Sequence, residues 1–308
     1  MQKLQKLVLK TLNNPIYFWF LVVSIYIIAR LGTWMYPFDS DHWIFWYVGK
    51  MWAQGGTLYV AAWDHKPPLI FLFNGLMYLV FGGNIIWHRI LFTILSIVDI
   101  ALFWQLFKMV LPDLKVKHAD IAIKVGLLFY VFWRNLSQFT SSGNNTENFG
   151  LIFFLGMMLS YLSFRKNQKW WKMLLSGACF SMLFFLKGNF LLLGIPLGII
   201  LLIDNRKNIR KFFGYGIGFL IPLVLQTLLW SYYFLTKNAF GDFFIASFQF
   251  SSKYSASAWK GGLSDMSVFY ILLAIASPLI IFGPLLFISE LRNNKTKEFL
   301  FWVLMILS

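Results

Sequence analysis

Charge is scarce in this chain, and negative charge is scarcest: 13% of the 308 residues are charged, with 12 Asp or Glu against 27 Lys or Arg. A soluble domain carries about 25% charged residues, so the composition excludes an ordinary soluble fold. The single cysteine, Cys179, excludes an intrachain disulfide and, lying in an apolar run, reads as a packing residue. No glycine-rich phosphate loop occurs, so no nucleotide cofactor is expected. There is no soluble domain, low-complexity linker or internal repeat. The first apolar run, 16–33, follows Lys3, Lys6 and Lys10 and lacks a small-residue cleavage site, which makes it a retained helix rather than a signal peptide.

What is present is apolar: 59% of residues are hydrophobic, 20% are aromatic, and the mean hydropathy is +0.67. Runs near the length that spans a bilayer, about 20 residues, recur from end to end. The expected membrane segments are 16–33, 68–86, 89–110, 119–135, 148–164, 173–187, 190–203, 212–234, 267–289 and one starting near 298. The fold class is therefore all-α, a polytopic transmembrane helical bundle forming one domain over 1–308. The net charge of +15 does not point to nucleic acid, because the positives gather in short loops. Lys108/Lys115/Lys117, Arg165/Lys166/Lys169/Lys172, Arg206/Lys207/Arg210/Lys211 and Arg292/Lys295/Lys297 follow the positive-inside pattern of cytoplasmic loops.

Two polar stretches, 34–67 and 235–266, are longer than the rest. A cytoplasmic N-terminus puts the first outside, and the basic loops put the second outside too. Strict alternation conflicts with this, since eight segments precede the second loop. One segment must fail to cross, or two must be one broken unit; the suspects are 68–86, interrupted by Asn74-Gly75 and Gly82-Gly83, and the closely spaced pair around Lys187-Gly188. The last apolar stretch, Phe299–Ser308, amounts to about 15 Å of helix against a hydrocarbon core of about 30 Å, so a truncated chain is expected.

The 34–67 loop holds the chemistry. Residues 42–54, rich in Trp and Tyr, read as a helix lying in the interface, ended by Gly55-Gly56. Asp39 and Asp41, just past the first helix, are each suited to act as general base toward an acceptor or to hold a metal; both are equally readable as solvated loop residues. Lys66, before the stiff Pro67-Pro68 pair, suits a phosphate at the membrane surface, or else simply anchors a helix end. Asp64 and His65 beside it are supporting residues, His65 being either a metal ligand or a surface histidine. Glu147 heads a membrane segment, where an acidic residue also suits the helix dipole. Lys187 lies between two apolar runs on the outward face, against the positive-inside bias, and calls for an anionic partner. In the second loop no residue stands out. Asp99 and Asp120 read as packing or boundary residues.

The spacing of Asp41, Gly49, Gly55, Tyr59, Trp63, Asp64, Lys66 and Pro68 resembles the first-loop pattern of GT-C glycosyltransferases. The nearest are bacterial relatives of the protein O-mannosyltransferases and of the lipid A aminoarabinose transferase. Thr146-Glu147 and Lys187-Gly188 fit the same family in order and distance. The resemblance implies transfer of a sugar from a polyprenyl-phosphate donor to a glycan, lipid or protein acceptor of the cell envelope. It places the protein in a bacterial plasma membrane, with its site on the extracytoplasmic face. It implies Asp41 rather than Asp39 as the base, and Lys66, with Lys187, at the donor phosphate. It also raises a divalent metal ion, with Asp64, His65 and Glu147 as the nearest candidates. Two other readings stand beside it. A transporter or flippase for lipid-linked sugars is disfavoured by the one-faced clustering of polar residues. A truncated, non-catalytic homologue draws its support from the short C-terminal run.

Overall fold

The computed structural model describes residues 10–35, 37–113, 119–140, 143–250 and 253. Their chain is helical, with a single isolated bridge between Leu58 and Ala62 and no strand among the described residues. The segments expected at 267–289 and from 298, and most of the 235–266 loop beyond Phe250, lie outside these residues.

Five helices among the described residues are long and apolar enough to cross a membrane. The path of the chain is readable from which residues meet. Helix α1 (Pro15–Met35) and helix α4 (Ile85–Asp113) run antiparallel. Phe18 meets Trp104, the Tyr26 and Ser96 hydroxyls lie 2.8 Å apart, and Arg89 donates to the Thr33 carbonyl at 2.9 Å. The chain between them, α2 (Ser40–Ala53), a loop and α3 (Leu69–Phe81), therefore leaves and returns at the same end of the bundle. With 13 residues, α3 is about 20 Å long, short of the roughly 30 Å hydrocarbon core. Gly82, at φ 62°, ends it, and Phe81 stacks on Trp87 at the start of α4. Of the two suspect regions, the 68–86 segment is the one from which the chain returns to the end it left.

The remaining passes alternate. Helix α5 (Ala119–Asn135) climbs back beside α4, with Gly126 against Phe107 and Tyr130 stacked on Phe103. A single turn, α6 (Ser137–Thr140), leads to α7 (Thr146–Asn167), and α8 (Trp170–Leu186) returns along it, Ser176 donating to the Met157 carbonyl at 3.1 Å. A 3-10 turn (Gly188–Leu193) and α9 (Gly194–Asn205) descend again, so that Arg165 meets Asp204 at 2.9 Å. Helix α10 (Ile209–Thr236) then climbs beside α8, so closely that a Cβ on Gly177 would lie 2.0 Å from the Phe219 carbonyl oxygen. The close pair at Lys187-Gly188 is thus two antiparallel helical segments joined by a sharp turn.

This path sorts the loops into two ends. Lys166, Lys169, Arg206, Lys207, Arg210 and Lys211 are exposed at one end. The other end carries α2, α3, the starts of α4 and α7, the ends of α5 and α8, and the segment after α10. That segment, α11 (Phe240–Phe244) and a π turn (Ile245–Phe250), packs Phe243 face to face on Phe234, their centroids 4.4 Å apart. Both long polar stretches, so far as they are described, share this end.

Candidate active site

Helix α2 begins at a side-chain cap. The Asp39 carboxylate accepts from the His42 amide at 2.8 Å, satisfying one of the free N–H groups at the helix start. Asp41, in the first turn, is exposed and makes no such bond. His42 turns inward, fully buried, stacked on Phe38 at 3.8 Å and beside His88. Burial, with His88 and Arg89 adding, lowers its pKa to about 3, so it is neutral and belongs to the packing.

The glycine spacing of the loop motif has a steric cause. A Cβ on Gly49 would stand 2.6 Å from the Gly75 amide nitrogen, and one on Gly75 would stand 2.5 Å from the Trp52 ring. The backbones of α2 and α3 touch at this pair, as small residues allow. Gly55, at φ 95°, ends α2 in a conformation that an L side chain seldom adopts.

Tyr59 is also left-handed, at φ 68°, which for a bulky residue costs on the order of 1–3 kcal/mol and persists only where its surroundings enforce it. Here the phenol is buried, donates to the Lys66 carbonyl at 2.8 Å, and lies 3.1 Å from the Ser247 hydroxyl that donates to it. Burial raises its pKa, so it stays a donor. This tether joins the first loop to the segment after α10. Ser247 had no signal in the sequence, being one serine among many polar residues of that stretch.

Asp64, His65 and Lys66 form a chain of contacts. His65 Nδ1 lies 3.0 Å from Asp64 Oδ1, and His65 Nε2 lies 3.2 Å from Lys66 Nζ. Asp64 is 8% exposed, and its Oδ2 has no hydrogen-bond partner. The backbone then turns at Pro67-Pro68 into α3, where Leu72 donates to the Pro68 carbonyl.

Glu147 reaches the same end through three asparagines. Asn74 and Asn144 exchange amide hydrogen bonds at 3.1 and 2.7 Å, and Asn144 also donates to the His42 carbonyl, tying α2 and α3 to the loop before α7. Asn145 caps α7 by accepting from the Asn148 amide at 2.8 Å. Glu147 accepts from the Thr146 hydroxyl and is ion-paired with Lys187. Lys187, in extended conformation at the end of α8, thus finds within the chain the anionic partner that its position demands. Asp99 and Asp120 are structural: Asp99 is buried against Arg134 at 2.8 Å, and Asp120 pairs with Lys124 one turn on.

The charges act on one another. The Asp41 carboxyl pKa is raised, first by partial desolvation of the carboxyl and then by Asp39, Asp64 and Glu147, while Lys66 opposes them. Asp41, Asp64, Lys66 and Glu147 therefore lie within electrostatic reach at one end of the bundle. Among the described residues Lys66 forms no ion pair with a carboxylate. Nor do any three His, Cys, Asp or Glu side chains there group as a metal site requires: Asp64 pairs with His65, and Glu147 with Lys187.

Residues 65–248 match the model of the family described as dolichyl-phosphate-mannose-protein mannosyltransferase, a span that covers more than half of the chain. It includes Lys66, Glu147, Lys187 and Ser247, and it begins after Asp41. No curated protein and no solved structure matches the chain.

Proposed function

The chain belongs to the dolichyl-phosphate-mannose-protein mannosyltransferase family, and from this membership in a group of GT-C membrane glycosyltransferases we propose its reaction. It moves a sugar from a polyprenyl-phosphate donor to a cell-envelope acceptor at the extracytoplasmic face. The observation that carries this reading is the clustering of Asp41, Asp64, Lys66 and Glu147 at the end of the bundle away from the exposed basic loops. Basic loops favour the cytoplasm, which argues for the opposite end being outside.

In this reading Asp41 takes the proton of the acceptor as its oxygen or nitrogen attacks the anomeric carbon. The bond from that carbon to the phosphate oxygen breaks, and the polyprenyl phosphate leaves with the bonding pair. Lys66 stabilises the charge gathering on that phosphate. A carboxylate with a raised pKa is a stronger base than a free one, which suits its task. Lys187, balanced by Glu147, completes the wall of the site rather than supplying a second free cation.

Membranes holding the intact protein, supplied with polyprenyl-phosphate carrying labelled mannose, test this. Label should pass to an envelope component, and Asp41→Asn should lower transfer by about 10²-fold or more while donor binding persists. Undiminished transfer by Asp41→Asn would remove Asp41 as the base, and label crossing the bilayer while still on its lipid would make the protein a flippase.

A further inference from the structure

A lysine that must receive a phosphate faces a conflict. Its ammonium sits on a flexible four-carbon stem, and fixing such a side chain costs rotamer freedom. A carboxylate neighbour would hold it in place but would also cancel the charge that attracts the phosphate. A neutral hydrogen-bond acceptor holds the ammonium and leaves the charge intact.

We propose that His65 is that acceptor, a positioning residue that holds the Lys66 ammonium at the donor's phosphate while Asp64 fixes the ring in the tautomer able to do so. The inference rests on the reading of Lys66 as the donor-phosphate residue. Three contacts carry it. His65 Nδ1 stands 3.0 Å from Asp64 Oδ1, and only a ring bearing its proton there turns that approach into a hydrogen bond. The lone pair then falls on Nε2, which stands 3.2 Å from Lys66 Nζ and accepts one of its three N–H groups. The opposite tautomer would set two acceptors face to face at Asp64, and a ring protonated on both nitrogens would set two donors face to face at Lys66. One ammonium N–H is used, and two remain for phosphate oxygens.

The surroundings fit a part built to hold still. Asp64 is buried, so its hold on the ring is little screened. The Lys66 backbone is fixed separately, by the bond from the buried Tyr59 phenol to its carbonyl. Pro67 and Pro68 stiffen the chain immediately beyond. Backbone and side-chain head are thus secured by different partners, and neither partner cancels the ammonium's charge.

Binding of polyprenyl monophosphate to the purified full-length protein isolates this step, because it depends on neither the sugar nor the acceptor. His65→Phe should weaken that binding by about tenfold, the scale of one charge-assisted contact put out of place. His65→Gln should stay within about threefold of the native protein, because its Oε1 can stand where Nε2 stands. Uncharged polyprenol should bind the native protein and all variants alike. Native affinity in His65→Phe, or a loss in His65→Gln as large as in His65→Phe, overturns the positioning role. Lys66→Met separates this from the wider reading. If it leaves binding unchanged, Lys66 is not the phosphate residue and both ideas fall; if it abolishes binding while His65→Phe keeps native affinity, only the role of His65 falls.

Discussion

Two lysines stand at the same end of this bundle, and their settings differ in kind. Lys66 Nζ stands 3.2 Å from the His65 imidazole, its backbone is pinned by a buried tyrosine, and among the described residues no carboxylate pairs with it. Lys187 is bound to Glu147, and its side chain is 33% exposed. An unbalanced cation near the headgroups attracts an anion at full strength. A balanced one brings its own counter-charge to the encounter, and a ligand must compete with or displace it. Position along the sequence makes the two lysines look equivalent; their partners separate them.

The largest effect expected from this contrast is in donor use. Lys66→Met should lower sugar transfer by about 10²–10³-fold, as removal of a principal charge-stabilising group does, and Lys187→Met by about tenfold or less. Transfer rates from polyprenyl-phosphate-linked sugar measure both, and equal losses would abolish the distinction. A second effect is on pH dependence. Asp41 acts as base only when ionised, and its pKa is raised, so transfer should fall with acidity starting above the ordinary carboxylate range. Lys66 holds that pKa down against burial, so a rate profile of Lys66→Met should place its acid limb at higher pH than the native protein, whereas Lys187→Met should leave the limb where it is. A downward shift in Lys66→Met would contradict the coupling. The smallest effect belongs to the neighbouring aspartate. Asp39→Ala removes the cap of α2 and should cost about 1 kcal/mol, read as a drop in thermal stability in detergent, whereas Asp39→Asn keeps the cap and transfers sugar nearly as well as the native protein. A loss of transfer in Asp39→Asn matching that of Asp41→Asn would exchange their roles.

Much of this arrangement was legible in the residues, for reasons that can be named. Hydropathy locates helices because lipid tolerates little else, and the basic loops mark one end because charge resists the bilayer. Hydropathy could not tell whether 68–86 crosses, because a helix of 13 apolar residues and a spanning one read alike until α1 is seen against α4. The demand of Lys187 for an anion was readable from its position, but its partner lies 40 residues away and only packing brings it there. The Asn74–Asn144 exchange, which fixes α3 against the start of α7, left no trace, since each asparagine alone suits a turn or a cap. Ser247 was hidden in the same way. The glycines of the loop motif were visible as spacing, and their cause, a backbone crossing with no room for a Cβ, appears only in three dimensions.

Because α3 enters and leaves by the same end and is too short to reach the other, it displaces lipid from a single leaflet. In the reading proposed for this site, a donor anchored by its tail would meet Lys66 by diffusing sideways within that one leaflet. The same lipid in the opposite leaflet is as remote from the site as if it were in another membrane.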